Sequence, residues 1–99
     1  MKQLYITIFV MGFAHLLLAQ NQTVEGTLMS SEDNLPMIGA SIMVKGTTKG
    51  TITDFEGKYA LKSLSAADTL VYSYTGHRDI ELIVGNQSII DLTMDPDSE

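Results

Sequence analysis

Apolar residues recur at every second position in several short stretches of this chain. Ala40, Ile42 and Val44 alternate with Ser41, Met43 and Lys45, and a period of two marks a strand with one buried face. The same alternation predicts a first strand over residues 23–30, with Val24, Gly26 and Leu28 on one side. A second strand follows over 40–45, a short third over 51–53, and a fourth opens at 59–61. In the fifth, 69–74, Leu70, Tyr72 and Tyr74 share the core face, while Val71, Ser73 and Thr75 share the other. The sixth, 79–84, turns Ile80, Leu82 and Val84 inward. The seventh, 88–94, turns Ile90, Leu92 and Met94 inward and Asp91 and Thr93 outward. Seven short strands at this spacing predict an all-β fold, a seven-stranded antiparallel Ig-like β-sandwich.

Turn chemistry separates these stretches. Gly46 and the Thr47, Thr48, Lys49, Gly50 run reverse the chain after the second strand. Asp54, Phe55, Glu56 and Gly57 reverse it again. The aspartate there can accept from the backbone ahead, and the glycine can adopt positive φ. Ser31, Glu32, Asp33 and Asn34 form a polar loop before Pro36, which has no backbone donor. Ser65 to Asp68 has room for one helical turn, too short for a stable helix.

Only the first twenty residues have helical length. Lys2 gives a positive start, residues 4–18 are apolar apart from Thr7, Gly12 and His15, and Ala19 and Gln20 form a small-residue cleavage region. This is the plan of a secretory signal peptide. The apolar run falls short of the ~20 residues of a spanning helix, and Asn21 and Gln22 follow it at once. The expected layout is a signal peptide at 1–20, one domain at 21–95 and a charged tail at 96–99. The domain's ~80 residues lie near the lower range for independent folding.

Composition narrows the chemistry. There is no cysteine, so disulfides, a thiol nucleophile, a Cys-based metal site and a lipid-bearing N-terminal cysteine are all excluded. The net charge is −6, and the bases Lys45, Lys49, Lys58, Lys62 and Arg78 are scattered. A nucleic-acid partner requires a basic patch, as does adhesion to anionic lipid; neither is expected, and no membrane insertion of the mature domain is expected.

The strand and turn motifs together resemble a known family. Val24, Glu25, Gly26 and Thr27 carry the likeness, as do Leu35 to Ser41 and Val44, Lys45, Gly46, Thr47 and Thr48. Gly50 and Thr51, the stretch from Thr53 to Tyr59, Leu70 to Gly76, and the ending Ile90, Asp91, Leu92, Thr93, Met94 continue it. The whole is similar to the carboxypeptidase-regulatory-like domain, a transthyretin-like β-sandwich. It looks most like the version at the N-terminus of SusC/RagA-type TonB-dependent outer-membrane transporters. His77 departs from the pattern, which usually has an aromatic after the glycine. The family's long β-barrel and its Val-rich TonB-contact segment are absent from the chain. The resemblance implies a non-enzymatic accessory domain, exported to the periplasm or outer membrane, with a protein partner there or in a transporter assembly, and truncated before plug and barrel. The alternative is a free-standing secreted module that binds carbohydrate or a surface.

Few side chains of the chain offer candidate chemistry. His15 belongs to the leader, which leaves His77 as the one histidine of the mature domain. One histidine without cysteine does not make a zinc site, which takes four N or S ligands; a polar loop role beside Arg78 and Asp79 is expected. Ser41, Ser73 and Ser88 each lack an oriented base other than His77, and no strand–turn–helix elbow is present. Hydroxyisourate hydrolases share the transthyretin-like fold, but their His and Arg set and Tyr-Arg-Gly-Ser terminus are missing here, so the fold does not transfer that activity. Asp54, Glu56 and Gly57 supply part of a calcium loop but not its further ligands or closing Glu. Tyr72 and Tyr74 suit a core better than a sugar platform because they share a face with Leu70. Lys45, Lys49 and Lys58 read as solvated edge residues that discourage strand pairing. No catalytic, cofactor or metal residue is expected, and no ligand-binding residue is assigned.

Overall fold

A computed structural model of the protein describes residues 22–97. The expected signal peptide lies outside them, as do the last two residues of the tail. The described residues form seven strands: β1 (Gln22–Ser30), β2 (Ser41–Val44), β3 (Gly50–Ile52), β4 (Lys58–Leu64), β5 (Thr69–Ser73), β6 (Ile80–Ile83) and β7 (Leu92–Met94). They make two sheets, ordered β4-β1-β7 and β3-β2-β5-β6. The all-β sandwich expected from the alternation is the fold.

One face of each sheet supplies the core. Val24 and Leu28 from β1, Ile42 from β2, Leu64 from β4, and Leu70 and Tyr72 from β5 are fully buried. Removal of such side chains from water is the main stabilising term in a domain without disulfides.

Two expectations change. The strands are not all antiparallel: β7 runs parallel to β1, with Leu28 opposite Leu92 and Ser30 opposite Met94. Alternation assigns faces; it carries no information on which strand pairs with which, or in what direction. The seventh stretch is also interrupted. Ile89 bridges Glu25, regular pairing resumes at Leu92, and between them Asp91 Oδ1 accepts from the Thr27 N–H at 2.8 Å in place of a strand carbonyl. The second change is Tyr74, which is 37% exposed and outside the core. β5 ends one residue earlier because Tyr74 opens a turn, closed by a bond from His77 N–H to its carbonyl at 3.0 Å with Gly76 at φ 80°.

The two sheets are joined by a polar clasp inside the core. Tyr59 of β4 donates its hydroxyl proton to the Ile90 carbonyl at 2.8 Å. The Tyr59 and Tyr72 hydroxyl oxygens lie 2.7 Å apart; since Tyr59 has one proton and has used it, Tyr72 is the donor. The rings meet edge to face at 5.7 Å and 78°, a favoured aromatic geometry. Burial pushes both tyrosine pKa values up, and for Tyr59 the Tyr72 hydroxyl adds to the shift. The Ile90 carbonyl reaches this position because β1 carries Gly26 beside it. A Cβ on Gly26 would stand 1.8 Å from that oxygen.

Gly26→Ala should therefore cost roughly 3 kcal/mol in urea unfolding, because backbone must move to admit the methyl. Gly46→Ala meets nothing within 4 Å and only the strain of φ +81°, and should cost about 1 kcal/mol. Tyr72→Phe removes a single donor and should cost ~1 kcal/mol. Tyr59→Phe leaves both the Ile90 carbonyl and the Tyr72 hydroxyl without their partner and should cost ~2–3 kcal/mol. Both raised tyrosines favour the folded state while protonated. Stability should be full below pH ~10 and fall as the unfolded chain begins to ionise above it.

Candidate functional site

The turn between β3 and β4 is built as its residue types dictate. Asp54 Oδ1 accepts from the backbone N–H groups of Glu56 at 2.9 Å and Lys58 at 3.0 Å. Gly57 takes φ 75°, and its N–H donates to the Asp54 carbonyl at 3.0 Å. The backbone bonds from Lys58 and Glu56 hold the Asp54 carboxyl below the usual aspartate range. The same bonds occupy Oδ1 with backbone donors, so the side chain acts here as the brace of a tight turn. Among the described residues, no three His, Cys, Asp or Glu side chains gather to hold a metal.

Beside this turn lies an open depression of ≈ 630 Å³ running over β4 toward β1 and the lead-in to β7. Asp54, Glu25 and Asp91 supply its carboxylates, and Ile52 and Ile89 supply apolar surface. No serine or histidine lines it.

His77 sits elsewhere. It bridges Pro96 across the base of the tail and packs its ring edge-on against Tyr74 at 5.4 Å. Nδ1 lies 3.2 Å from the Thr75 carbonyl, while Nε2 is buried without a hydrogen-bond partner. It is half-buried, more enclosed than a polar loop residue, because the tail folds over it. Ser41 and Ser73 are cross-strand partners in the β2–β5 ladder, and Ser88 gives its carbonyl to the Glu25 N–H at 2.9 Å. None of the three is hydrogen-bonded to His77 among the described residues. The two-ring sugar platform is not formed either: Tyr72 is sealed in the core, and Tyr74 alone reaches the surface. Of the lysines, Lys45 pairs with Glu81 at 2.8 Å and Lys58 with Glu56 at 3.4 Å. Lys49 Nζ caps the Ser63 carbonyl of β4 at 2.6 Å.

Thr53 is a residue that alternation does not single out. It is buried, and its Oγ1 accepts from the Ala40 N–H at 2.9 Å and donates to the Met37 carbonyl at 2.5 Å. This staple fastens the loop before β2 to the end of β3. A threonine after a strand whose neighbours are Ile52 and Asp54 gives no such signal in one sequence.

A family model described as a CarboxypepD_reg-like domain matches residues 24–99. The chain belongs to that family. Among curated relatives it is 40% identical over 77 residues to TonB-dependent receptor P26 of Formosa agariphila, covering 78% of this chain and 8% of that protein. It is 45% identical over 69 residues to TonB-dependent receptor SusC of Bacteroides thetaiotaomicron, covering 70% of this chain and 7% of SusC. The chain thus matches a small fraction of the length of these receptors. Among solved structures, a chain of a type II cohesin–X-dockerin complex from Acetivibrio cellulolyticus superposes with a TM-score of 0.60 at 20% identity, over 74% of this chain and 56% of that one. At that identity the likeness is one of fold.

Asp54 gives this surface a pH signature. A carboxyl held below its unfolded value of ~3.9 contributes stability that is full above that pH and lost as pH falls through the folded value. Thermal melts between pH 2 and 7 should show the acid-side drop shrink in Asp54→Ala, whose melting temperature at pH 7 should also fall. An unchanged acid limb would show that the turn carries no linked protonation.

Proposed function

We propose that this chain is an exported, non-enzymatic interaction domain that serves a SusC-type, TonB-linked outer-membrane transporter from its periplasmic side. The observation that carries the reading is its 38–45% identity to four TonB-dependent receptors, supported by a fold in which no serine bonds His77 and no metal-ligating cluster forms among the described residues. The leader pattern at 1–20 supports export, with the folded domain beginning near Asn21. A membrane barrel strand takes about 9–11 residues. Among the described strands only β1, at 9 residues, approaches that length, so the domain contributes contact and spacing while other parts of an assembly conduct the nutrient. The rigid clasp between the two sheets suits a spacer, since it holds the exposed faces at a fixed orientation.

Cell fractionation tests this reading. In the native host, antibody to the domain should detect antigen in the outer-membrane or periplasmic fraction, and N-terminal sequencing should find a start near Asn21. Cross-linking should recover a receptor barrel. Antigen confined to the cytoplasm with Met1 retained would overturn it.

A further inference from the structure

The sandwich is closed along one side and open along the other. On the β3/β4 side the turn at Asp54 and the Lys49–Ser63 bond tie the sheets together, and the inward residues of β4 (Tyr59, Leu61 and Leu64) are at most 5% exposed. On the β6/β7 side one sheet is a strand short: three strands in β4-β1-β7 face four in β3-β2-β5-β6. Ile80 and Leu82 of β6 and Leu92 of β7 are only partly covered, while Met94, the other inward residue of β7, is fully buried.

The edge of β7 is set up for pairing. Ser31 N–H bonds to the Met94 carbonyl and Ile90 N–H to the Glu25 carbonyl, so even-numbered residues of this stretch turn their backbone groups to β1. Thr93 therefore turns its N–H and C=O to the open side. One step further, the Asp95 carbonyl already accepts from Arg78 N–H at 3.4 Å, and Asp97 N–H donates to the Gly76 carbonyl at 2.7 Å. The chain's own segment 76–78 begins a pairing on this edge and then leaves it at Thr93. The rim has one dominant sign. Asp79, Asp95 and Asp97 are exposed there, Glu81 is exposed and paired with Lys45, and Arg78 is the one base in residues 78–84 and 90–97.

We propose that the free edge of β7 takes one extended strand of a partner protein, with apolar side chains turned inward over Ile80, Leu82 and Leu92 and basic side chains turned outward to the acidic rim. Such a strand becomes the fourth of the short sheet, faces β6 and finishes covering the core. Main-chain bonds to Thr93 supply the attachment, and alternate side chains supply the selectivity. The acidic rim disfavours an acidic strand, so the site discriminates by charge as well as by pattern. This names the contact surface of the interaction domain proposed above and rests on that reading for its biological partner, but the binding itself does not depend on export or on a transporter.

The test uses the full chain, isotope-labelled, with three nine-residue peptides: alternating Lys–Val, alternating Glu–Val and alternating Lys–Ser. Amide exchange at Thr93 should slow about tenfold or more with the Lys–Val peptide and stay unchanged with the other two. Thr93→Pro removes the outward N–H while leaving the β1 ladder intact, and should weaken binding of the Lys–Val peptide about five- to tenfold, the worth of one hydrogen bond. Should that variant not fold, Thr93 exchange in the unaltered chain decides alone. Protection at Ala60 or Glu81 in place of Thr93, equal binding of all three peptides, or no binding would overturn the proposal. So would Thr93 protection without peptide: if it rises with protein concentration, a second copy fills the edge, and if it does not, another segment of the same chain fills it. Any of these failures leaves the exported-domain reading standing, because fractionation tests that separately.

Discussion

The hydrogen-bonded chain from Tyr72 to Tyr59 to the Ile90 carbonyl is the constraint on which the rest of this fold depends. Its three members come from β5, from β4 and from the segment leading into β7, so it ties one sheet to the other and fixes the height at which the last segment crosses. Three polar groups placed in a core of aliphatic side chains would be costly if any were left unpaired. Arranged in series, each satisfies the next, and the cost becomes a requirement for one geometry. Gly26 is part of the same device, since its missing side chain is the space that the Ile90 carbonyl occupies. The pairing of β7 with β1 then follows: Ile90 N–H bonds to the Glu25 carbonyl at 2.8 Å on one side of the crossing, and Asp91 receives Thr27 N–H on the other.

Fixing the seventh strand in this way produces the asymmetry of the sandwich. β7 enters beside β1, completes a sheet of three, and leaves its outer edge beside the tail. β3 and β4 are consecutive and joined by a tight turn, so their side of the sandwich closes locally. β6 and β7 are also consecutive and, like β3 and β4, lie in different sheets, but the eight residues between them make a longer crossing than the five between β3 and β4. No turn can seal that side. The segment around His77 and Pro96 partly compensates by laying the tail against the turn after β5.

Much of this was legible in the chain, and the boundary is a physical one. Period-two alternation marks which residues face the core, and it does so correctly for Val24, Leu28, Ile42, Leu70 and Tyr72, because burial selects side chains by face. The Asp54 to Gly57 turn was equally legible, since the side-chain acceptor and the positive φ are local properties of those two residues. Tyr74 misled because alternation continues through it while the backbone has already entered a turn that ends on His77. The parallel β1–β7 pairing, the Tyr59 clasp and the Thr53 staple were not legible. Each joins residues far apart in sequence, 31 apart for Tyr59 and Ile90 and 16 for Thr53 and Met37, and a single chain records no such partnership. The family motif held the clue in disguise: Gly26 and Tyr59 are two of the residues that carry the likeness, and in space they sit on either side of the same carbonyl.

The exposed strand edges sharpen the functional argument. A small β domain with open edges invites unwanted pairing, and natural sheets guard such edges with charge or by covering them. Here the guarding is uneven. The β4 edge has Lys49 on the Ser63 carbonyl and Asp54 on the Lys58 N–H, two devices within one strand. Along β7 the backbone is covered at Asp95 and left open at Thr93, over aliphatic side chains that the core has not finished burying. Protection spent on one edge and withheld from another is what a contact domain needs. Closing every edge would leave the protein nothing to bind with, while leaving both open would let it bind to anything extended. The acidic rim around the open one supplies the remaining selectivity, admitting a strand by its outward charge as well as by its inward pattern.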